Sequence, residues 1–398
     1  DLFKRSITYY KKQTRKDVSM ILEKPIMGWN TWNTFGENIN EQLILETADK
    51  MMELGYKDAG YEYVIIDDCW SEMRRDENGR LVPDKKKFPH GMKYIADYLH
   101  ERGMKFGMYS DAGFYTCMGY PASFGHELED AKTFAEWEID YLKYDFGFFP
   151  TSAQAENAYL VMAQALRLSG RDIAFSVATA GKNEPWKWAR SRGGHTFRAT
   201  DDICDSKESY RAILGAQAEN MEMSTFDCFS DWDMLTVGMN GCGNVSRGTV
   251  DFSEYENQFL AWAFFATPLI LGADIRNMDE RCRKLLLNKD VIAINQDKEC
   301  RPAFKIEEYY EKAKVFARLL SNGDMAVLAI NFHEETEVQK SIQLKISFDD
   351  LGIRTGSGWG FELTNVLTGE KLGTFEAGYG VDVKSDRIVL LRARPVRL

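Results

Sequence analysis

Short apolar segments alternate with longer amphipathic segments from Pro25 to about residue 300. The apolar segments, centred near residues 30, 65, 109, 144, 177, 200, 231 and 270, are typical of strands buried on both faces. The segments between them repeat apolar residues every three or four positions, which is the spacing of one helix face. Eight such β units predict an α/β fold, a (β/α)8 TIM barrel over residues 25–300. A doubly wound open sheet is the alternative, although no GxGxxG fingerprint follows an early strand.

The pattern changes after residue 300. Runs such as KVFARLL, MAVLAINF and SIQLKISF alternate apolar and polar residues, and the turn signal SNGD separates the first two. Because no clear helix-period segment interrupts them, we predict a C-terminal antiparallel β-sandwich domain over residues 301–398. The first 24 residues are basic and differ in pattern from the alternating segments after Pro25, so residues 1–24 are interpreted as an amphipathic N-terminal extension.

Composition and charge narrow the class of ligand. The chain has 398 residues, of which 44% are hydrophobic and 28% charged, as is ordinary for a globular protein. No apolar run approaches the roughly 20 residues of a membrane helix. The net charge of −11 and a pI near 5.2 argue against nucleic acid or an anionic membrane as the main partner. We therefore expect a small neutral ligand, and homo-oligomer formation stays open.

The seven cysteines show no CxxC pair and no Cys/His cluster, which disfavours a zinc site. Their number is odd and they are scattered, so we predict free thiols in a reducing compartment. The chain starts at Asp1 without a signal-peptide pattern, and whether a leader was removed stays open. A cytoplasmic, bacterial-type setting is favoured over a secreted or lysosomal one.

Polar and aromatic residues stand where the predicted strands end, and barrel enzymes build their sites from those ends. Carboxylates accept hydrogen bonds from sugar hydroxyls, an aromatic face packs on a sugar ring, and two carboxylates can cleave a glycosidic bond. No histidine is among these residues, which disfavours Ser-His hydrolases and His-based metal centres. The candidates are Trp29, Asp67, Asp68, Tyr109, Asp111, Lys143, Asp145, Arg198, Asp202, Asp231 and Asp233.

Other uses of these residues stay open at this point. Asp67, Asp68 and Asp111 could form an oxygen cage for a divalent metal. A single aspartate at a strand end often caps the following helix. Lys143 and Asp145 could be a buried ion pair with a structural role only. Glycoside chemistry is favoured because almost every strand end in one barrel is polar or aromatic.

Six longer motifs occur in order between residues 25 and 300: MGWNTWNTF, YEYVIIDDCW, YLKYD, RATDDICDS, DWDMLTVG and ATPLILGADIR. Together they resemble the α-galactosidase and α-N-acetylgalactosaminidase group, glycoside hydrolase family twenty-seven. The resemblance implies that Asp145 is the catalytic nucleophile and that Asp202, four residues after Arg198, is the acid/base. It also implies that no cofactor and no metal are needed. The residues that it matches to sugar contacts are Trp29, Asp67, Asp68, Tyr109, Lys143, Arg198 and Asp233.

The implied reaction is a retaining double displacement. Asp145 attacks the anomeric carbon while protonated Asp202 gives its proton to the departing oxygen, and Asp202 then acts as a base toward water. Asp145 must therefore stay ionised, and Asp202 must hold a proton before cleavage. One site can meet both requirements if the local environment of one carboxylate lowers its pKa and that of the other raises it.

Strand five departs from the family pattern. α-Galactosidases of this family usually carry a Glu-Trp pair there, whereas this chain has Ala178, Thr179 and Ala180. The N-acetylgalactosaminidase relatives use small residues to make room for the acetamide, so Thr179 is a candidate contact for the 2-substituent of the sugar, with Glu184 as a replacement. A second departure concerns the family's disulfide. Gly147 stands where a cysteine would pair with Cys117, so that bond is predicted to be absent.

We predict an exo-acting retaining α-galactosidase that releases terminal α-linked galactose from oligosaccharides or glycoconjugates. An α-N-acetylgalactosaminidase is the first alternative, and a β-L-arabinopyranosidase is the second. A catalytically silent sugar-binding barrel would be expected to have lost one catalytic carboxylate, and both are present.

Overall fold

A computed structural model describes residues 20–148, 155–220, 224, 226–309, 312–334 and 340–398. The predicted N-terminal extension lies outside these residues, except for residues 20–24. Leu22 in this last part is buried in one cluster with Tyr63, Tyr141 and Phe229, which come from three barrel strands. No helix in the described ranges is long and apolar enough to cross a membrane.

Eight strands in the described part of the chain form one parallel sheet in the order β7-β6-β5-β4-β3-β2-β1-β8. Leu235 closes the circle between β7 and β8. Its N–H donates to Ile270 O at 2.7 Å, and its carbonyl accepts from Gly272 N at 2.9 Å. The predicted (β/α)8 fold is therefore confirmed. The strands are β1 Met27–Asn30, β2 Tyr63–Ile66, β3 Lys105–Asp111, β4 Tyr141–Asp145, β5 Ala174–Ala178, β6 Thr196–Arg198, β7 Phe229–Asp231 and β8 Leu269–Leu271.

Helices connect the strands around the outside of the barrel. Asn40 and Ser206 each begin a helix, because their side chains accept a hydrogen bond from the backbone N–H three residues on. The connection between β5 and β6 has two short 3-10 helices, Pro185–Lys187 and Arg190–Arg192, in place of a long α-helix. The α-helices are α1 Trp32–Phe35, α2 Glu41–Glu53, α3 Gly91–His100, α4 Glu127–Glu136, α5 Ala155–Leu168, α6 Lys207–Ala218, α7 Phe252–Phe264, α8 Glu280–Leu286 and α9 Lys289–Asn295.

The barrel strands bury both of their faces, because helices cover the outside of the sheet. In β4, Leu142 and Tyr144 belong to the core under the helices, and the ring of Tyr144 meets that of Tyr159 in α5 at 5.6 Å. Lys143 and Asp145 alternate with them and therefore point to the opposite face. Their charges lie where β4 ends, at the carboxyl-terminal rim of the barrel.

The C-terminal part forms a six-stranded and a two-stranded antiparallel sheet, ordered β14-β13-β16-β11-β10-β9 and β12-β15. In β10, Val315 packs in one core with Val383 of β15, whereas Phe316 meets Phe265 on the barrel side at 5.5 Å. The larger sheet is therefore buried on both faces. The strands are β9 Phe304–Tyr309, β10 Ala313–Leu319, β11 Met325–Asn331, β12 Ser341–Ser347, β13 Trp359–Asn365, β14 Lys371–Phe375, β15 Gly378–Lys384 and β16 Arg387–Arg397.

A buried cation joins this sheet to the barrel helices. Arg318 of β10 is almost fully buried and donates to the carbonyls of Phe264, at 2.8 Å, and Ile294. Those carbonyls lie at the C-terminal ends of α7 and α9, where the helix dipole favours a positive charge. Burial lowers the pKa of Arg318 to about 10, so the side chain stays charged at neutral pH.

Gly28 in β1 should not tolerate a side chain. A Cβ there would lie 2.3 Å from the carbonyl oxygen of Tyr63 in the paired strand β2. We expect Gly28→Ala to cost about 1–3 kcal/mol of stability, as overpacking does, measured as a lower thermal midpoint. Gly215→Ala in α6 is the matched control, because a Cβ there meets nothing within 4 Å. Equal stability of Gly28→Ala and wild type would contradict the β1–β2 register.

Candidate active site

A cavity of about 280 Å³ opens at the carboxyl-terminal ends of the strands. Below it, buried side chains of the strands, such as Tyr63, Ile65 and Tyr141, fill the barrel interior. Strand ends supply most of its charged side chains, and the loop after β7 supplies one further wall. The lining residues are Trp32, Asn33, Asp67, Asp68, Tyr109, Cys117, Lys143, Asp145, Ala178, Ala180, Arg198, Asp202, Ile203, Cys204, Asp233, Met234, Asn244, Val245 and Arg247.

Lys143 binds the carboxylate of Asp67 across the cavity floor. Its Nζ lies 2.8 Å from Asp67 Oδ2, which also accepts from Asn30 Nδ2 at 2.8 Å. Burial disfavours the lysine charge, but the carboxylates of Asp67 and Asp145 outweigh it and raise the pKa of Lys143. Lys143 is therefore a fixed cation beside two acids.

Asp145 lies at the end of β4 with both carboxylate oxygens held. Its Oδ2 accepts from the Tyr109 hydroxyl at 2.9 Å, and its Oδ1 accepts from the backbone N–H of Phe146 at 2.9 Å. Burial raises the pKa of Asp145, and the charge of Lys143 opposes that shift. The side chain is thus oriented from two sides and depends on a neighbouring cation for its ionised state.

Arg198 at the end of β6 contacts two carboxylates. Its Nη2 lies 2.8 Å from Asp202 Oδ1 and 3.1 Å from Asp233 Oδ2. The Arg198 charge holds the pKa of Asp202 below its ordinary value. The side chain of Asp202 is 80% exposed, whereas that of Asp233 is 6% exposed. Asp202 is therefore the carboxylate of this group that reaches the mouth of the cavity.

Asp68 connects the rim to the loop after β3. Its Oδ2 accepts from the backbone N–H of Met118 at 3.2 Å, and its Oδ1 accepts from that of Cys69 at 2.7 Å. Burial raises the pKa of Asp68. The predicted residues Asp67, Asp68, Tyr109, Lys143, Asp145, Arg198, Asp202 and Asp233 are thus brought together around one cavity.

Two predicted contacts do not line the cavity. Trp29 is fully buried, and its indole N–H donates to Ala273 O at 2.9 Å beside Phe35. Thr179 is 2% exposed, and its hydroxyl has no hydrogen-bond partner among the described residues. Its neighbours Ala178 and Ala180 line the cavity instead. Successive side chains of an extended chain point to opposite sides, so a shift of one residue moves the candidate off the wall.

A family model described as alpha galactosidase A matches residues 24–297, more than half of the chain. The chain belongs to the alpha galactosidase A family. It is 43% identical to alpha-galactosidase A of Cellvibrio japonicus, over 78% of this chain and 76% of that one. Alpha-galactosidase I of Mortierella vinacea has a similar structure, with a TM-score of 0.84 and 31% identity over 95% of this chain and 98% of that one. The Saccharomyces cerevisiae alpha-galactosidase solved with raffinose has a TM-score of 0.84 and 29% identity, over 94% and 98% of the two chains.

The family's disulfide is absent here. The seven cysteines are free thiols, and a Cβ added at Gly147 would lie 3.4 Å from the Cys117 sulfur. The two positions are thus neighbours, as the resemblance implied. In place of a bond between them, Asp111 accepts from the N–H groups of Gly147, at 2.7 Å, and Gly113, at 2.6 Å. Asp111 therefore takes over the connection between the loops after β3 and β4.

The metal cage considered from the sequence does not form, because Asp67 is taken up by Lys143 and Asn30. In the described residues, a different set of ligand atoms lies within 4.8 Å of one another, on Asp111, Cys117 and Asp145. Burial and the charge of Asp145 raise the pKa of Asp111 to about 8, so it carries a proton at neutral pH.

The loop after β7 supplies the part of the wall that family motifs and strand ends did not predict. Its backbone N–H groups at Asn244 and Val245 donate to Thr34 O and Asn33 O, both at 3.1 Å. These bonds bring Arg247 to the mouth of the cavity. The only sequence signal in this loop was Asn-Val-Ser, a weak match to a glycosylation acceptor.

Proposed function

We propose that the protein is an exo-acting retaining α-galactosidase that releases terminal α-linked galactose from oligosaccharides or glycoconjugates. The observation that carries the proposal is one cavity in which a carboxylate held by two hydrogen bonds, Asp145, and an exposed carboxylate, Asp202, both form the wall. A cavity of about 280 Å³ above a packed barrel interior suits the terminal ring of a sugar chain. Family membership and the relative solved with raffinose support a carbohydrate substrate.

Asp145 is proposed as the nucleophile. The Tyr109 hydroxyl and the Phe146 N–H fix its two oxygens, and the charge of Lys143 opposes the rise in the pKa of Asp145 that burial causes. It would attack the anomeric carbon and form a covalent glycosyl-enzyme. Asp67, Asp68 and Lys143 would hold the sugar hydroxyls, since each still has hydrogen-bonding capacity toward the cavity.

Asp202 is proposed as the acid/base, although the ion pair with Arg198 lowers its pKa. A bound sugar would cover Asp202 and accept hydrogen bonds from Arg198. Both changes favour the protonated carboxyl, because desolvation and loss of a cation each disfavour the charge. Arg198 would keep Asp233 as its partner at 3.1 Å, so the guanidinium does not lose its last counter-charge.

An α-N-acetylgalactosaminidase is the second candidate, because two alanines, Ala178 and Ala180, line the wall near the end of β5. Small side chains leave room for a bulky substituent on the sugar. Glu184 does not line the cavity and pairs with Lys187 on the surface, so it is not proposed as a reader of the 2-hydroxyl.

The two candidates are separated by the substituent at C2. Kinetics on 4-nitrophenyl α-galactoside and α-N-acetylgalactosaminide should give a kcat/KM at least about tenfold higher for the galactoside, a difference of about 1.4 kcal/mol. The β-L-arabinopyranoside serves as the third substrate, since it lacks only the C6 arm. A higher kcat/KM for the N-acetylated sugar would replace the first proposal with the second.

Asp145→Ala should abolish turnover, with a loss of at least about 10³-fold in kcat, as the covalent step is removed. Azide should restore part of the rate by taking the place of the carboxylate, and the product should be the glycosyl azide of inverted configuration, detected by NMR. Asp97→Ala, which removes an exposed aspartate of α3, is the matched control and should keep wild-type turnover. Near wild-type turnover by Asp145→Ala would show that another residue is the nucleophile.

Lys143→Met should move the acid limb of the pH profile of kcat/KM to higher pH. Asp145 acts when ionised, and the Lys143 cation lowers its pKa against burial. Removing the cation therefore raises the pH at which activity appears, by about 1–3 units. The position of the limb is the readout, because the height of the profile also falls when a sugar contact is lost.

Lys132→Met, on the exposed side of α4, is the matched control and should leave the limb in place. If the limb does not move in Lys143→Met either, Lys143 does not set the pKa of the group that must be ionised.

We propose a reducing, cytoplasmic location, supported by seven free thiols and the missing family disulfide.

A further inference from the structure

Four exposed apolar side chains, named here the apolar rim, lie together beside the cavity. Phe114, Tyr115 and Met118 come from the loop after β3, and Phe148 comes from the loop after β4. They are 50%, 55%, 44% and 64% exposed, respectively. Single apolar side chains on a surface are ordinary, but a group of them beside a binding cavity indicates a contact surface.

The two loops that carry the apolar rim are in direct backbone contact. The N–H of Phe114 points to Phe148 O at 3.5 Å, and a Cβ at Gly113 would lie 2.0 Å from Gly147 O. The ring of Phe114 also packs edge-on against Phe124 at 4.7 Å. The backbone of the two loops and the ring of Phe114 are therefore held in place before any ligand arrives, which lowers the entropic cost of binding.

The apolar rim continues into the cavity through Cys117. This residue lines the cavity, and its sulfur lies 3.8 Å from Asp145 Oδ2. The next residue, Met118, donates its backbone N–H to Asp68 Oδ2 at 3.2 Å. Met118 of the apolar rim and its neighbour Cys117 thus contact two carboxylates of the site, those of Asp68 and Asp145.

We propose that the apolar rim binds the leaving-group sugar of the substrate through the C–H face of its ring. This rests on the proposed function. The cavity has a volume of about 280 Å³, which suits a single pyranose ring, so the rest of the substrate must lie outside it. A pyranose presents an apolar C–H face that packs on aromatic rings, and the rim carries no charge that would need a charged partner. The occupant is therefore a neutral hexose attached to the terminal galactose.

A polar groove on the other side of the mouth is the competing route. It has a volume of about 580 Å³ and shares Arg247 with the cavity. Lys207, Glu208 and Arg387 are among its lining residues. A leaving group that followed this groove would depend on hydrogen bonds and charge, and it would not touch the apolar rim.

The test compares two substrates that differ only in the leaving group. The disaccharide galactosyl-α-(1→6)-glucose has a sugar ring to place on the rim, and α-galactosyl fluoride has none. Phe148→Ala and Tyr115→Ala should each lower kcat/KM on the disaccharide about five- to tenfold, chiefly through KM, because a contact equal in ground and transition state is lost. Both variants should keep kcat/KM on the fluoride within about twofold of wild type.

Two controls make the comparison specific. Leu168→Ala removes a side chain that is 75% exposed on α5, and it should change neither substrate. Lys207→Ala alters the polar groove, and it should leave the ratio of the two kcat/KM values unchanged. Thermal midpoints report whether each variant is folded.

Three results would overturn the proposal. Equal losses on both substrates would make the rim a structural feature, and no loss on either would leave it without a role in binding. A selective loss on the disaccharide in Lys207→Ala, with none in the rim variants, would assign the leaving group to the polar groove. If wild type hydrolyses neither substrate, the proposed function itself fails, which is a different outcome from a failure of the rim alone.

Discussion

Two cations, the half-buried Lys143 and the buried Arg198, stabilise the carboxylates at the ends of the barrel strands. Burial alone would protonate the surrounding aspartates, as it does at Asp111, whose pKa rises to about 8. Lys143 binds Asp67 at 2.8 Å, and Arg198 binds Asp202 and Asp233 at 2.8 and 3.1 Å. A buried charge is costly unless it is paired, so each cation fixes the position of the carboxylates around it.

The two cations are unequally paired, and this difference matters for chemistry. Lys143 has its close partner in a nearly buried carboxylate, so this pair is rigid. Arg198 divides its donors between a buried acid, Asp233, and an exposed one, Asp202. It can release Asp202 without becoming a buried, unpaired charge, which is the expensive outcome. Asp145 therefore lies beside a rigid ion pair. Asp202 can leave Arg198 and take up a proton when a sugar oxygen takes its place at the guanidinium.

The sequence predicted the barrel because its strands are apolar on both faces and end in polar residues, a pattern that is local. It predicted Lys143 and Asp145 for the same reason. Trp29 and Thr179, which it named as sugar contacts, do not line the cavity. At the end of β5 a shift of one residue reverses the side chain and nothing local reports that shift. Near β1 the aromatic residue of the wall is Trp32, three residues after Trp29. The sequence missed Asn244 and Arg247, because their place depends on hydrogen bonds to Asn33 and Thr34, more than 200 positions earlier. The division of the C-terminal strands into a six-stranded and a two-stranded sheet was likewise not predictable. The alternation of apolar and polar residues identifies strands but not the strands with which they pair.

The C-terminal sheet supports the cavity wall through a chain of contacts. The loop that carries Arg247 is held by Asp205, whose backbone N–H donates to Val245 O at 3.0 Å. The carboxylate of Asp205 accepts from the Tyr255 hydroxyl of α7 at 3.0 Å. Two residues on in α7, Asn257 Nδ2 donates to Asp386 O, and Asn257 Oδ1 accepts from Ile388 N of β16, both at 2.9 Å. A barrel without its C-terminal sheet would leave the buried Asn257 without these partners and loosen α7. The sheet therefore belongs to the working site although none of its described residues lines the cavity.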